Sequence, residues 1–170
     1  MRVYGGDDGS DDDPDEIAVG LADYATASDG QRLTSSGIGS CVVVALFDDE
    51  ATVGGLVHFM LPASAEIADD DPAKFADTGI ETLMASMETE GGDRRRMEAK
   101  LVGGANMLDI TDKNRLIGTR NVRAAKEELD AAGVPVVAEE TGGSHGRSLV
   151  FDSTDGSLRI RGPHAETRSI

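Results

Sequence analysis

Cysteine, cations and long apolar runs are all scarce in this chain of 170 residues, and each scarcity excludes something. The single cysteine, Cys41, cannot close an internal disulfide, so a reducing, cytoplasmic setting is the expectation. One thiol also rules out the usual structural zinc sites, and His145 and His164 are not spaced with other ligands. Neither a metal nor another cofactor is expected. The longest apolar run, residues 41–47, falls far short of the roughly 18 residues that a membrane span needs. The first 30 residues lack the basic start and apolar stretch of a secretory signal, so none is expected, nor is direct membrane insertion. Lys and Arg together number 16 against 32 Asp and Glu, a net charge of -16 at pH 7. A surface of that sign repels phosphate, which argues against nucleic acid and against an anionic membrane surface as partners. Only four cations are Lys, and 20 of the acids are Asp. This bias resembles the cytosolic proteins of salt-loving archaea, where excess acid keeps a protein soluble and salt screens the self-repulsion. An ordinary acidic cytosolic protein is the alternative.

What is present is enough for one globular domain. Hydrophobic residues make up 39%, and the 21 glycines bring the apolar share to a normal level. A chain of this length buries roughly 70% of its unfolded surface, so it needs no covalent staples. Residues 1–16 carry seven acids and one Arg and are expected to form a disordered acidic tail ahead of a single domain over 17–170. Helical periodicity occurs twice: over 77–88, where Ile80, Leu83, Met84 and Met87 make one apolar stripe, and over 120–132, which ends at Gly133 and Pro135. Strands are expected over 41–47, 53–60, 100–102, 134–139, 147–151 and 158–161, with Asp155 and Gly156 turning the last hairpin. Many short strands and two helices predict an α+β layered sandwich of mixed or antiparallel sheets with helices.

The segment Ser35-Ser36-Gly37-Ile38-Gly39-Ser40-Cys41 runs into VVVALF, and VGGLVHFM follows after Asp48-Asp49-Glu50. A hairpin centred between Asp49 and Glu50 pairs residues whose numbers sum to 99, which sets Cys41 opposite His58. Directly opposed residues have β-carbons about 4.5–5.5 Å apart, close enough for a thiol and an imidazole to share a proton. Such a pair suits acyl transfer from an amide, because the imidazole takes the thiol proton and returns it to the leaving amine. Gly39 and Ser40 let backbone amides approach a developing oxyanion. The competing reading is a buried apolar thiol beside a core histidine.

The segments SSGIGSCVVVALFD, GGLVHFMLP, AKLVGGANM, IGTRN and TGGSHGR, in that order over residues 17–161, resemble the CheD family of chemoreceptor glutamine deamidases. The resemblance implies a cysteine-hydrolase fold similar to the catalytic domain of the cytotoxic necrotizing factor toxins. It also implies conversion of receptor glutamine to glutamate, with methyl-accepting chemotaxis receptors as substrates and a CheC-type phosphatase as a possible partner. The nucleophile then matches Cys41 and the general base matches His58. A family Thr six positions before the cysteine is replaced by Ser35, which keeps the hydroxyl, while Thr34 points to the other face of an extended strand. Either hydroxyl is left as the candidate for orienting the imidazole. Glu140 stands where the family usually has Asp.

The glycine loops at 103–107 and 142–147 have neither the P-loop ending nor the spacing of a dinucleotide fingerprint, so they are read as turns around the cleft. Within the resemblance, Asn106 and Asn121 are candidates for polar contacts in the substrate groove. Arg94, Arg95 and Arg96 are expected in a solvated turn, with contact to an acidic receptor helix as the alternative. Two function classes therefore stand side by side: a deamidase, and a non-catalytic adaptation module that docks on receptors and on a CheC-type phosphatase. A thiol redox sensor is weaker, since no resolving cysteine exists.

Overall fold

A computed structural model describes residues 15–64, 71–106, 116–164 and 166–170. In chain order the elements are β1 (Glu16–Ala18), β2 (Asp23–Ser28), β3 (Arg32–Ile38), β4 (Val42–Asp48), β5 (Val53–Phe59), α1 (Ala76–Thr89), β6 (Glu98–Gly103), α2 (Ile117–Ala131), β7 (Val136–Thr141), β8 (Arg147–Asp152), β9 (Leu158–Arg161) and β10 (Thr167–Ser169). They build two five-stranded mixed sheets, ordered β2-β5-β4-β6-β7 and β1-β3-β8-β9-β10. The α+β layered sandwich expected from the sequence is what forms. Of the expected acidic tail, residues 1–14 lie outside the described residues, and Glu16 already belongs to β1.

The layering follows from which strands are apolar on both faces. β4 and β5 are the central strands of their sheet, and nearly every residue in them is buried. On one face Val42, Val44, Leu46, Val57 and Phe59 pack against α1 and α2 through Ile80, Leu83, Met84, Met87, Ala125 and Leu129. On the other, Val43, Ala45, Leu56 and Val102 meet Leu33, Ile38, Leu149, Phe151 and Ile160 of the second sheet. The two helices thus cover the first sheet, and the second sheet closes its far side. The whole α1 stripe is buried, so its methionines serve the core and not a partner surface. Among the described residues no helix is long and apolar enough to cross a membrane.

The β4–β5 hairpin differs from its expected register. Val42 pairs with Phe59, Val43 with His58 and Asp48 with Val53, so paired numbers sum to 101 and the loop is residues 49–52. Cys41 is therefore not opposite His58; Val43 is. The cause is Asp48, which stays in the strand. Its buried carboxylate accepts from the backbone N–H groups of Glu50 and Ala51 at 3.1 Å each and pairs with Arg96 at 2.9 Å. A carboxylate that closes its own turn in this way moves the turn one residue later than the charge pattern suggests. Because the slip is two, an even number, Cys41 and His58 keep to the same side of the sheet.

Arg94 and Arg96 are committed inside the molecule, Arg94 to Glu81 and Glu88 of α1 and Arg96 to Asp48. They clamp the short helical turn onto α1 and the hairpin, which gives the three-arginine run a structural role; Arg95 pairs with Asp93 and remains largely exposed.

Candidate active site

The site forms where β3 and β5 face each other across the sandwich. β3 carries a bulge: Ser35 pairs with Leu149, but Ile38 pairs with Arg147, so one residue is extra. Gly37, at φ +65°, accommodates that bulge in a conformation costly for other residues. The extra residue lets both Ser35 and Ile38 face the interior, where each is buried. Thr34, one step away, pairs with Ala18 and Val150 and has the opposite orientation.

Ser35 is the hydroxyl that reaches the histidine. Its Oγ donates to the Val19 carbonyl at 2.8 Å and lies 3.0 Å from His58 Nδ1. A hydroxyl has one proton. With that proton given to Val19, Ser35 accepts from Nδ1–H, and this leaves His58 Nε2 as the nitrogen with the lone pair. Nε2 is buried and has no hydrogen-bond partner among the described residues. A base nitrogen is thus held bare on the side away from Ser35. His58 itself is 1% exposed, and burial lowers its pKa to about 4, so the ring is neutral at neutral pH.

Cys41 sits one residue ahead of β4, diagonal to His58, and is half-buried. Diagonal neighbours of a sheet are about 7–8 Å apart between α-carbons, within reach for side chains that lean together. Burial pushes the thiol above its ordinary pKa, while its own backbone N–H pulls the other way. Burial therefore favours a neutral thiol and a neutral imidazole here.

Three consecutive carbonyls fix the loop that leads to Cys41. Gly39 O accepts from Ala105 N at 2.9 Å, Ser40 O from Asn121 Nδ2 at 3.0 Å, and Cys41 O from Gly104 N at 2.8 Å. Gly103, at φ +117°, is packed so closely on the Cys41 carbonyl that no side chain fits there. The 103–106 loop is in turn tied to the next glycine loop, with Gly142 N donating to Gly103 O and Asn106 N to Gly143 O. Both glycine loops are therefore turns that brace the cysteine.

Of the two asparagines expected in a substrate groove, Asn106 donates Nδ2 to Thr119 Oγ1 at 3.2 Å and is half-buried. Asn121 is fully buried and uses Nδ2 on Ser40 O and Met60 O, 3.0 Å each, so it faces the protein and not a groove. The Glu140 position also gains a physical account. Glu140 pairs with the buried Arg147 and, at 3.3 Å, with Arg168, while Arg147 Nη2 donates to Gly142 O at 2.6 Å. This pair of a buried arginine and a partly buried glutamate joins the two sheets beside the 142–146 loop. The sequence reading missed it, although a lone Arg opening an alternating strand was a usable signal. A groove of about 840 Å³ runs between α2 and the edge strand β7, past Val122, Lys126, Val136 and Glu139 to Gly104 and Gly142, without including Cys41 or His58.

Comparison with known proteins adds to this geometry. The family model for CheD chemotactic sensory transduction matches residues 60–162. A Haloarcula marismortui protein named "Probable chemoreceptor glutamine deamidase CheD" is 41% identical over 173 residues, covering 100% of both chains. Proteins of the same name from Clostridium novyi and Caldanaerobacter subterraneus are 41% and 47% identical, covering 86% and 85% of this chain and 93% and 91% of their own. Among solved structures, a Neisseria meningitidis protein of family model DUF152 aligns with a TM-score of 0.48 at 13% identity, over 76% of this chain and 62% of its own. Bacillus licheniformis YfiH aligns with a TM-score of 0.47 at 14% identity, over 71% and 51%.

Proposed function

The chain belongs to the CheD family, and from that premise we propose that it is a chemoreceptor glutamine deamidase whose chemistry is carried by Cys41, His58 and Ser35. The observation that carries the assignment of residues is the Ser35 hydroxyl on His58 Nδ1, which leaves the Nε2 lone pair without a partner among the described residues.

The steps follow from that tautomer. As Cys41 Sγ bonds to the side-chain carbonyl carbon of a receptor glutamine, its proton passes to His58 Nε2. The carbonyl oxygen becomes an oxyanion beside the Gly39-Ser40-Cys41 backbone, where the Cys41 N–H is the available donor near the sulfur. His58 then gives the proton to the amine, the C–N bond breaks, and ammonia leaves a thioester. Water, deprotonated by His58, attacks that thioester; the C–S bond breaks and the thiol recovers its proton. The net change is glutamine plus water to glutamate plus ammonia, with no redox step.

Three further parts of the reading rest on the family resemblance alone. They are a CheC-type phosphatase as regulator, a cytoplasmic location, and a fold similar to the catalytic domain of the cytotoxic necrotizing factor toxins. A purely docking role would need none of the three site residues, which favours the enzyme. Co-expression with a chemoreceptor and mass spectrometry of its signalling helices tests the choice. Each converted glutamine gains about one mass unit, and Cys41→Ala abolishes the gain while leaving the circular dichroism of the domain intact. A full mass gain with Cys41→Ala would sink the assignment.

A further inference from the structure

We propose that Asn121 is a positioning residue that aims the Cys41 backbone N–H at the oxyanion. The proposal rests on reading Cys41 and His58 as the catalytic pair. It starts from a polar side chain in an apolar stripe: the buried positions of α2 are Gly118, Asn121, Ala125 and Leu129. An asparagine that faces a core is costly unless its amide is used. Here both acceptors of Nδ2 are backbone carbonyls, Ser40 O and Met60 O, each at 3.0 Å, so the amide orientation is dictated by chemistry.

Those two carbonyls belong to the two catalytic segments. Ser40 immediately precedes Cys41, and Met60 lies two residues after His58. The Ser40 carbonyl and the Cys41 N–H are opposite ends of one planar trans peptide group. Drawing the oxygen toward α2 turns the N–H the other way, and that N–H acts on the Cys41 sulfur. A hydrogen bond received at the carbonyl also strengthens donation from the N–H of the same peptide. The second bond, to Met60 O, keeps the end of β5 at a fixed distance from the cysteine loop. One carboxamide thus sets the donor's direction and the spacing between nucleophile and base. Its Oδ1 is buried without a partner among the described residues, so the amide sits there at a cost that Nδ2 offsets.

Loss of one oxyanion donor in other hydrolases costs about 10²–10³ in kcat, and misaiming it costs part of that. Asn121→Ala, and Asn121→Asp, which keeps the volume but faces two carbonyls with oxygens, are expected to lower kcat for deamidation by about 10-fold or more with KM changed by less than about twofold. Alkylation of Cys41 by iodoacetamide forms no oxyanion, so its limiting rate at high pH, where the thiol is fully ionised, stays as in wild type even if the thiol's titration shifts. A folded variant that loses alkylation and deamidation in parallel overturns the proposal, because the damage is then general to the site. Unchanged kcat overturns it as well. A measurement on the wild type covers variants that fail to fold. Addition of a receptor peptide carrying glutamate semialdehyde in place of the target glutamine moves the Cys41 amide proton downfield by NMR, and no movement refutes the donor assignment. Cys41→Ala, run alongside, separates the two failures: retained activity there removes the catalytic reading itself, whatever Asn121 does.

Discussion

The buried, neutral His58 makes the stability of this protein depend on pH in a calculable way. Burial lowers its pKa from 6.5 to about 4 in the folded chain. Between those values an unfolded chain takes up a proton that the folded chain refuses, so folding loses stability as pH falls through the window and keeps all of it above about 6.5. Each unit of difference corresponds to about 1.4 kcal/mol, which sets a limit of about 3 kcal/mol and a loss of about 2.5 kcal/mol by pH ~4.5. Carboxylates titrate in the same range, so the quantity to read is a difference between variants. Urea unfolding of wild type and His58→Gln in molar KCl, at pH ~7.5 and pH ~4.5, isolates the histidine. Wild type is expected to lose about 2.5 kcal/mol more than the variant over that step. Equal losses in the two proteins would mean that the imidazole is hydrated and that its neutrality at rest, on which the mechanism depends, is not enforced by the fold.

Ser35→Ala leaves His58 Nδ1 without its acceptor and is expected to lower kcat by about 10-fold or more, while Ser35→Thr keeps activity near wild type; deamidation rates measured by ammonia release decide this. Gly103→Ala forces a methyl onto the Cys41 carbonyl at a positive φ and is expected to cost at least about 2 kcal/mol in urea unfolding together with deamidase activity; wild-type behaviour would show that the glycine loop does not brace the cysteine. Asp48→Ala removes the two turn hydrogen bonds and the buried one of the carboxylates around Arg96 and is expected to destabilise by about 2–4 kcal/mol in the same assay. At -16 the chain repels itself, so its melting temperature is expected to rise steadily from about 0.1 M to 1 M KCl, where the Debye length falls to about 3 Å; a flat response would give the acidity another origin.

The helices and the six apolar strands were legible because each carries its own period. The α1 stripe was read as residues 77–88 and forms Ala76–Thr89, and residues 158–161 form β9 as read. β2 and β3 were not read as strands, because DYATAS and RLTSSGI are polar and small. Their strand character comes from pairing with β5 and β8, which local pattern does not contain. The same limit governed the site. Cys41 and His58 are candidates from the hairpin pattern, and Ser35 or Thr34 from the family resemblance; of the two hydroxyls the structure brings Ser35 to the imidazole. The register was off by two because an aspartate that hydrogen-bonds its own turn looks, in sequence, like one more loop acid. Asn121, expected in a substrate groove, is instead buried on two backbone carbonyls, since a helical period says which face is buried and not which carbonyls wait there.

A neutral thiol beside a neutral imidazole places an unusual weight on alignment. In a preformed thiolate–imidazolium pair, charge attraction itself draws the partners together and tolerates some slack. Here burial opposes both charged forms, raising Cys41 and lowering His58, so in the proposed mechanism the proton crosses only when sulfur, Nε2 and carbonyl carbon are in line. In that proposal the alignment is supplied from outside β5 and the segment that carries Cys41. Ser35 sets the ring from the opposite sheet, Gly104 and Ala105 hold two carbonyls of the cysteine loop, Asn121 holds the third, and the Glu140–Arg147 pair anchors the loop that backs them. All of these supports except Ser35 fall within residues 60–162, the stretch matched by the family model, whereas Cys41 and His58 lie ahead of it. A match over that stretch alone therefore speaks for the brace; the chemistry has to be read from the two residues that the brace serves.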